Sequence, residues 1–385
     1  MIKQGKKGVI VIEGHVQGLA NTRILGKAGI PVFVIDKENC VARYSKYCRK
    51  FFRCPDYISD KFINFLIMLA QAENLKGWLL LPSNDHAVYN IAKNKKTLSE
   101  FFSIITDDFE VINKIYHKCL LLDIAQKAGI PIPQSYIPEQ GIFDFSTLHY
   151  PVIIKGNNGL SFYKKYHKKA FFANSEEELQ QVLSEKLTQA APSEYFIQEV
   201  LPDKHKTISV TVFAVKGQVY VYWMGEKLRE HPIRFGTATC CRSIFNSTVL
   251  KQSKEIVREL NFTGVCEIEW LKDPRDDQYK LIEINARTWL WVGLAEKCGI
   301  NYPLIIYDYL MHGVIPKQNE YTLGLNWINV YTDFYFSLKS IFKRTVRFKD
   351  FISSYRKFTE ACWDKTDPLP FFMYGIFLFN FNKNR

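Results

Sequence analysis

A chain of 385 residues is too long for one small core, so two or three domains are expected. With 47% hydrophobic residues and a mean hydropathy of −0.14, the composition excludes a disordered polymer, and no uninterrupted run of about 20 apolar residues suggests a spanning helix. The excess of 51 basic over 39 acidic residues, a formal +12, favours anionic ligands without choosing among nucleotide, nucleic acid and anionic lipid.

The opening, MIKQGKKGVIVIEGH, reads as a basic stub before a strand rather than a secretory leader. Nine scattered cysteines without a C-x-x-C pair read as reduced thiols of a cytoplasmic protein rather than a zinc site. Residues 8–12 are predicted as a buried strand, followed by a helix through Leu25 and a strand over 31–36. Another strand covers 78–82, and a helix starts near Asn84. Strands alternating with helices predict a doubly wound parallel sheet, assigned to a domain over residues 1–115.

A helix over 115–127 is predicted to stop at Ala128-Gly129-Ile-Pro-Ile-Pro133, where glycine suits a C-cap and proline forbids continuation. A strand resumes over 150–155. Ser175-x-x-Glu178 has the form of a capping box. Alternating, aromatic-rich sequence over 195–283 predicts an antiparallel sheet, interrupted by a helix near 253–260. Helices return after Trp289. From Lys317 the chain becomes aromatic and basic, with Lys339, Lys343, Arg344, Arg347 and Lys349 close together, and ends in an apolar run beginning at Phe371.

The most informative local pattern is Glu267-Ile-Glu269-Trp-Leu, a turn at 273–277, then Leu281-Ile-Glu283-Ile-Asn285-Ala-Arg287. As a hairpin with period two, it puts Glu283, Asn285 and Arg287 on one face and brings Glu269 opposite Glu283. Converging carboxylates repel unless a cation lies between them, and Mg²⁺ accepts such oxygen ligands. An ordinary charged hairpin face is the competing reading. Lys155 closes an apolar strand and enters Gly-Asn-Asn-Gly159, a place where lysine and close backbone meet phosphate, or simply a solvated strand end. Lys118 is one lysine on a helix. The segment Gln198-Glu199-Val-Leu201-Pro202 offers an extended backbone to an adenine edge.

Taken in order, Lys118, Gly129-Ile-Pro-Ile-Pro133, Pro151-Val-Ile-Ile-Lys155, Gln198-Glu199-Val-Leu201, Glu269-Trp-Leu and Glu283-Ile-Asn285-Ala-Arg287 resemble the ATP-grasp superfamily over roughly residues 115–310. The resemblance implies a two-lobed ATP-grasp fold over 116–315 with an antiparallel sheet, preceded by the α/β domain and followed by an extension over 316–385. It implies ATP and one or two Mg²⁺ ions, with Mn²⁺ as an alternative. Lys118 and Lys155 would hold phosphates, Gln198, Glu199 and Leu201 would receive adenine, and Glu269, Glu283 and Asn285 would bind metal. Arg287 would steady an acyl-phosphate. The stretch after Lys155 lacks a long glycine run, so phosphate cover is expected from residues 161–169, including Lys169. Asp203 is the candidate ribose contact.

A narrower likeness to carboxylate–amine ligases around D-aspartate ligase rests on Gly14-His15-Val-x-Gly18-Leu, Pro82-Ser-Asn-Asp85, Lys227-Leu-Arg229-Glu230, Gly236-Thr-Ala-Thr239 and Asp367-Pro-Leu-Pro370. It implies an amino-acid carboxylate joined to an amine acceptor such as a cell-envelope precursor, with Arg229 and Arg242 as anion binders. His15 is either a substrate contact at the sheet edge or a turn residue. Asp36 ends a strand as a dinucleotide ligand would, but Glu13-Gly-His-Val-Gln-Gly18 is not G-x-G-x-x-G, which excludes NAD. The rival functions are an ATP-grasp phosphotransferase or carboxylase, and a non-catalytic nucleic-acid binder, which the dispersed charge disfavours. The basic aromatic tail is expected to meet the inner face of a membrane or to pack on its own domain.

Overall fold

The apolar run at the start of the chain is continuous because both of its faces are covered. Val9 and Val11 enter one core while Ile10 and Ile12 enter another. In the computed structural model, which describes residues 6–137, 145–202, 207–231, 236–342 and 347–383, this run is β1 (Val9–Ile12), followed by α1 (Val16–Lys27) and β2 (Val32–Asp36). Then come β3 (Cys48–Arg53), α2 (Asp60–Ala72), β4 (Trp78–Pro82), α3 (Asp85–Lys93), α4 (Lys95–Leu98) and β5 (Phe102–Ile104). The five strands are parallel in the order β3-β2-β1-β4-β5, the doubly wound sheet expected. The turn after β1 needs its glycines. A Cβ on Gly14 would stand 2.2 Å from Cys40 Sγ, and one on Gly18 would stand 2.1 Å from the Glu13 carbonyl oxygen.

The predicted helix over 115–127 is in fact two, α5 (Phe109–Tyr116) and α6 (Lys118–Lys127). His117 has ψ 104° and breaks the run. Asn157 captures the new N-terminus, its carbonyl taking the Lys118 amide and its Oδ1 the Cys119 amide. Short-range periodicity could not show this contact, because it comes from a loop 38 residues further on.

A small lobe follows: β6 (Ser135–Tyr136), β7 (Val152–Gly156), α7 (Gly159–Tyr166), β8 (Ala170–Ala173), α8 (Glu176–Glu185) and β9 (Tyr195–Glu199). Its antiparallel sheet runs β6-β9-β7-β8. The stretch 161–169, expected to cover phosphate, is helical through Tyr166, because Asn158 Oδ1 caps α7 at the Ser161 amide, 2.8 Å away. Ser175 caps α8 as predicted, although Glu178 reaches the Asn174 amide rather than that of Ser175.

The large lobe is built on β10 (Ile208–Val215), β11 (Gln218–His231), β12 (Thr237–Ser243), α9 (Ser247–Glu259), β13 (Gly264–Lys272) and β14 (Tyr279–Asn285). Then follow α10 (Val292–Lys297), α11 (Tyr302–His312), β15 (Asn326–Ile328), α12 (Val330–Phe342), α13 (Phe348–Ser354), β16 (Phe358–Glu360) and α14 (Leu369–Lys383). The sheet order is β14-β13-β10-β11-β12-β15-β16, so the stretch read as an extension supplies its last two strands. That stretch also returns to the first domain, where buried Asp367 binds Arg23 Nε at 2.9 Å and Ser45 Oγ at 2.6 Å. Trp289, Trp291 and Tyr302 share one core with Val11 and Leu19, which ties the parallel-sheet domain to the large lobe.

Candidate active site

Strand alternation sorts the hairpin. Cys266, Ile268 and Trp270 point into the core beneath α9, where the Trp270 indole donates to Ser253 Oγ at 2.8 Å. Glu267 and Glu269 therefore turn to the opposite face. β13 pairs with β14 so that Glu269 opposes Glu283 and Glu267 opposes Asn285. A bulge after Glu269 shifts the register there.

Each metal-candidate carboxylate has a lysine beside it. Lys118, first residue of α6, donates to Glu283 Oε2, and Lys227 on β11 donates to Glu269 Oε2 at 2.7 Å. The Lys118 charge, opposed by burial, holds Glu283 well below the usual carboxylate range. Burial works against both lysines, but Glu283 raises Lys118, and Glu269 with Glu267 raises Lys227. Glu267 moves the other way. Burial first, then its neighbour Glu269, pushes it up to about 7. Asn285 Nδ2 reaches one of its oxygens at 3.3 Å, while the other is buried without a well-formed hydrogen bond among the described residues.

The small lobe brings Lys155, whose Nζ donates to Gln198 Oε1 at 2.8 Å, and Gln198 donates on to Ser135 Oγ. Burial, then repulsion from Lys118, draws Lys155 down to about 7, with Glu283 and Glu269 opposing. Lys169 keeps solvent contact, yet it is crowded enough for desolvation to lower its ammonium against the pull of Glu283. Glu230, raised by burial, faces Lys227, Glu269 and Lys169. Lys118, Lys155, Lys169, Glu269 and Glu283 are thus brought into one electrostatic cluster. Lys227 and Glu230 belong to it too, though neither had been assigned a role; their place in the Lys227-Leu-Arg229-Glu230 motif was the signal in the sequence.

Other candidates lie elsewhere. Arg229 makes a fork to Asp333, both contacts 2.8 Å, and a further bond to Ser354 Oγ. Arg242 Nε donates to Asn326 Oδ1 at 2.9 Å. Neither joins the cluster. Glu199 accepts from the Gln134 amide and pairs with Arg275 at 2.6 Å, which ties the small lobe to the hairpin turn. The Glu199 and Val200 amides donate to Gln134 and Pro151 carbonyls, and Leu201 is buried. Asp203, Lys343 and Arg344 lie outside the described residues.

Arg287 crosses to the first domain and holds Asp85 with both edges, at 2.7 and 3.0 Å. Asp85 is the first residue of α3, whose N-cap is Asn84. Asn84 Nδ2 also donates to Glu13 Oε1, and Gln17 Nε2 to Glu13 Oε2. Burial raises the Glu13 carboxyl to about 7. These groups stand at the carboxyl ends of β1 and β4, where the strand order reverses, the usual crevice for ligands in such sheets. Asp36 accepts from the Gly14 amide and from Tyr57 OH, so it organises the first turn. His15 precedes α1 and touches Tyr374 edge-on. A surface recess of about 460 Å³ beside Phe33, Arg49 and Trp78 is lined by none of these site residues.

A small antiparallel lobe and a larger one, with cations from both sides facing acids on one hairpin, define an ATP-grasp architecture. Comparison with known proteins agrees: residues 118–308 match the family model described as carbamoyl-phosphate synthase L chain, ATP binding domain, and the chain belongs to the ATP-grasp superfamily. It is 24% identical over 250 residues to D-aspartate ligase of Enterococcus faecium, which covers 60% of this chain and 59% of that protein. The chain thus spans about three-fifths of that relative. Among solved structures, biotin carboxylase of Campylobacter jejuni superposes with a TM-score of 0.65 at 15% identity, covering 83% of this chain and 74% of that one. L-amino acid ligase of Bacillus licheniformis gives a TM-score of 0.60 at 15% identity, covering 80% and 74%. These two likenesses concern the fold alone.

Proposed function

We propose that the protein is an ATP-dependent carboxylate–amine ligase that forms an amide through an acyl-phosphate. The observation that carries this reading is the pairing of Lys118 with Glu283 and Lys227 with Glu269 in one cleft, beside Lys155 and Lys169. Two cations held by two carboxylates can change partners when a triphosphate arrives, since the phosphates replace the acids as counter-charge.

The donor set fits a hard divalent ion. Glu269, Glu283 and the Asn285 amide offer oxygen ligands along one face of the β13–β14 hairpin. Mg²⁺, or Mn²⁺ in its place, would be held by those three residues and would supply charge neutralisation on the phosphates.

Lys118, Lys155 and Lys169 hold the phosphates, and the Gln198–Leu201 segment receives adenine through its backbone. A carboxylate oxygen of the first substrate attacks the γ-phosphorus, the bond to the β-phosphate oxygen breaks, and ADP leaves. The amine nitrogen then attacks the acyl carbon, phosphate departs, and the amine loses a proton. Arg287, anchored by Asp85 between lobe and first domain, stands where the acyl group meets the acceptor. Closure of the small lobe excludes water from the acyl-phosphate. The carboxylate substrate is an amino acid, in keeping with the name of D-aspartate ligase, and the acceptor is an amine such as that of a cell-envelope precursor. An α/β domain over 1–115, a grasp unit over 116–315 whose large sheet is completed by strands from 316–385, and a cytoplasmic setting complete the proposal.

The test is release of ADP and phosphate by the purified protein across a panel of amino acids and amines, with mass spectrometry of the product. Release that requires both partners and yields an amide supports the ligase. A phosphorylated or carboxylated product replaces it with another ATP-grasp reaction, and tight salt-sensitive nucleic-acid binding without turnover ends it.

A further inference from the structure

Helix α14, LPFFMYGIFLFNFNK, is apolar around its whole circumference. Such a helix is normally buried on all sides. Among its described side chains one side is covered: Phe371, Tyr374, Phe377 and Leu378 pack on the core, and Tyr374 OH accepts from Asn329 Nδ2 at 2.9 Å. The opposite stripe, Leu369, Phe372 and Ile376, is 51%, 54% and 50% exposed. Trp363, 47% exposed, extends the stripe by meeting Phe372 edge-on at 6.2 Å. Phe348 and Ile352 on α13 add exposed apolar surface in the same C-terminal region.

The charges of this region are one-sided. Arg347, Lys349, Arg356, Lys357 and Lys365 are exposed. Most of the acids are engaged internally: Asp333 with Arg229, Asp367 with Arg23, Asp364 with Lys27, and Glu360 with the Cys362 and Trp363 amides. Asp350 is the exposed exception. Among the described residues no helix is long and apolar enough to cross a membrane.

From these features we infer that the C-terminal region rests on an anionic lipid bilayer, with the outer stripe of α14 and Trp363 entering the interface and the basic side chains meeting lipid headgroups. Aromatic and aliphatic side chains on an amphipathic surface partition into the headgroup boundary, and each nearby lysine or arginine adds attraction to anionic lipid. A second copy of the chain is a poorer occupant, because two such faces would bring like charges together. The inference is independent of the chemistry assigned to the cleft.

The experiment is co-sedimentation of the full chain with vesicles of phosphatidylcholine alone or with phosphatidylglycerol added, at low and high salt. The wild type should bind the phosphatidylglycerol vesicles at least about tenfold better than the neutral ones, and salt should weaken that binding. The double variant Phe372→Glu/Ile376→Glu should lose at least about tenfold of the binding, and so should Arg356→Glu/Lys357→Glu. Circular dichroism should remain unchanged in both. Equal binding to the two vesicle types, or variants that bind as the wild type does, would overturn the inference. So would a wild-type dimer in light scattering that Phe372→Glu/Ile376→Glu converts to monomer without changing sedimentation.

Discussion

Lys227 and Arg229 stand two residues apart on β11, each paired with a carboxylate, yet they belong to different kinds of site. Arg229 reaches both oxygens of Asp333, which is fully buried and also accepts from Thr239 Oγ at 2.8 Å and Tyr355 OH at 3.0 Å. Every lone pair there has a partner, so the pair is closed and joins the C-terminal helices to the sheet. Lys227 holds Glu269 by one contact of 2.7 Å, beside a Glu267 oxygen that has no well-formed bond among the described residues and a Glu230 raised by burial. A saturated network serves the fold, whereas unsaturated charges crowded together face something that has yet to arrive.

The largest effect that would sharpen this contrast is expected from Glu283→Ala. ATP turnover should fall about a thousandfold, on the order of 4 kcal/mol of transition-state stabilisation, while urea unfolding keeps its wild-type slope. Retained turnover would detach the hairpin acids from catalysis. Asp333→Ala should act through folding instead. It leaves a buried guanidinium unpaired, and chemical denaturation should show a loss of about 3–5 kcal/mol. A stable Asp333→Ala protein would mean that Arg229 is not confined as its contacts indicate.

Next is Lys227→Met, which should cut turnover about a hundredfold and, by leaving Glu269 without its partner, lower unfolding free energy by about 1–3 kcal/mol. Glu13→Gln tests a third environment. Its carboxyl binds a proton more tightly in the folded protein, so native stability from the protonated form is present below the unfolded value near 4.5 and is lost as pH rises toward about 7. The variant should therefore match wild type in unfolding free energy near pH 4 and exceed it above pH 7, by about 3 kcal/mol. A pH-independent difference would refute that account. The smallest effect belongs to Arg242→Ala. With one bond to Asn326, it should change turnover less than about twofold and stability by about 0.5–1 kcal/mol.

Local rules were enough for the three inner strands of the parallel sheet, because runs such as 8–12 and 78–82 are apolar on both faces and punctuated by helices, but they missed the half-exposed edge strand β3 and the short β5. They also sufficed for the hairpin, since period two and one turn bring Glu269 opposite Glu283. The break at His117 escaped them, because its capping partner Asn157 lies 38 residues further on, and so did α7, where the Asn158 side chain caps the Ser161 amide.

The linear order of residues determined which segments alternate, where helices must stop, and which carboxylates share a face, because these follow from periods of 2.0 and 3.6 residues. Only the tertiary structure decided that Lys118 and Lys227 meet those carboxylates, that Arg229 is sealed against Asp333, and that Arg287 crosses to Asp85. Partners separated by 42 to 202 positions in the chain carry no local periodicity. What each charge does depends on whether folding surrounds it with completed hydrogen bonds or leaves it at an open cleft.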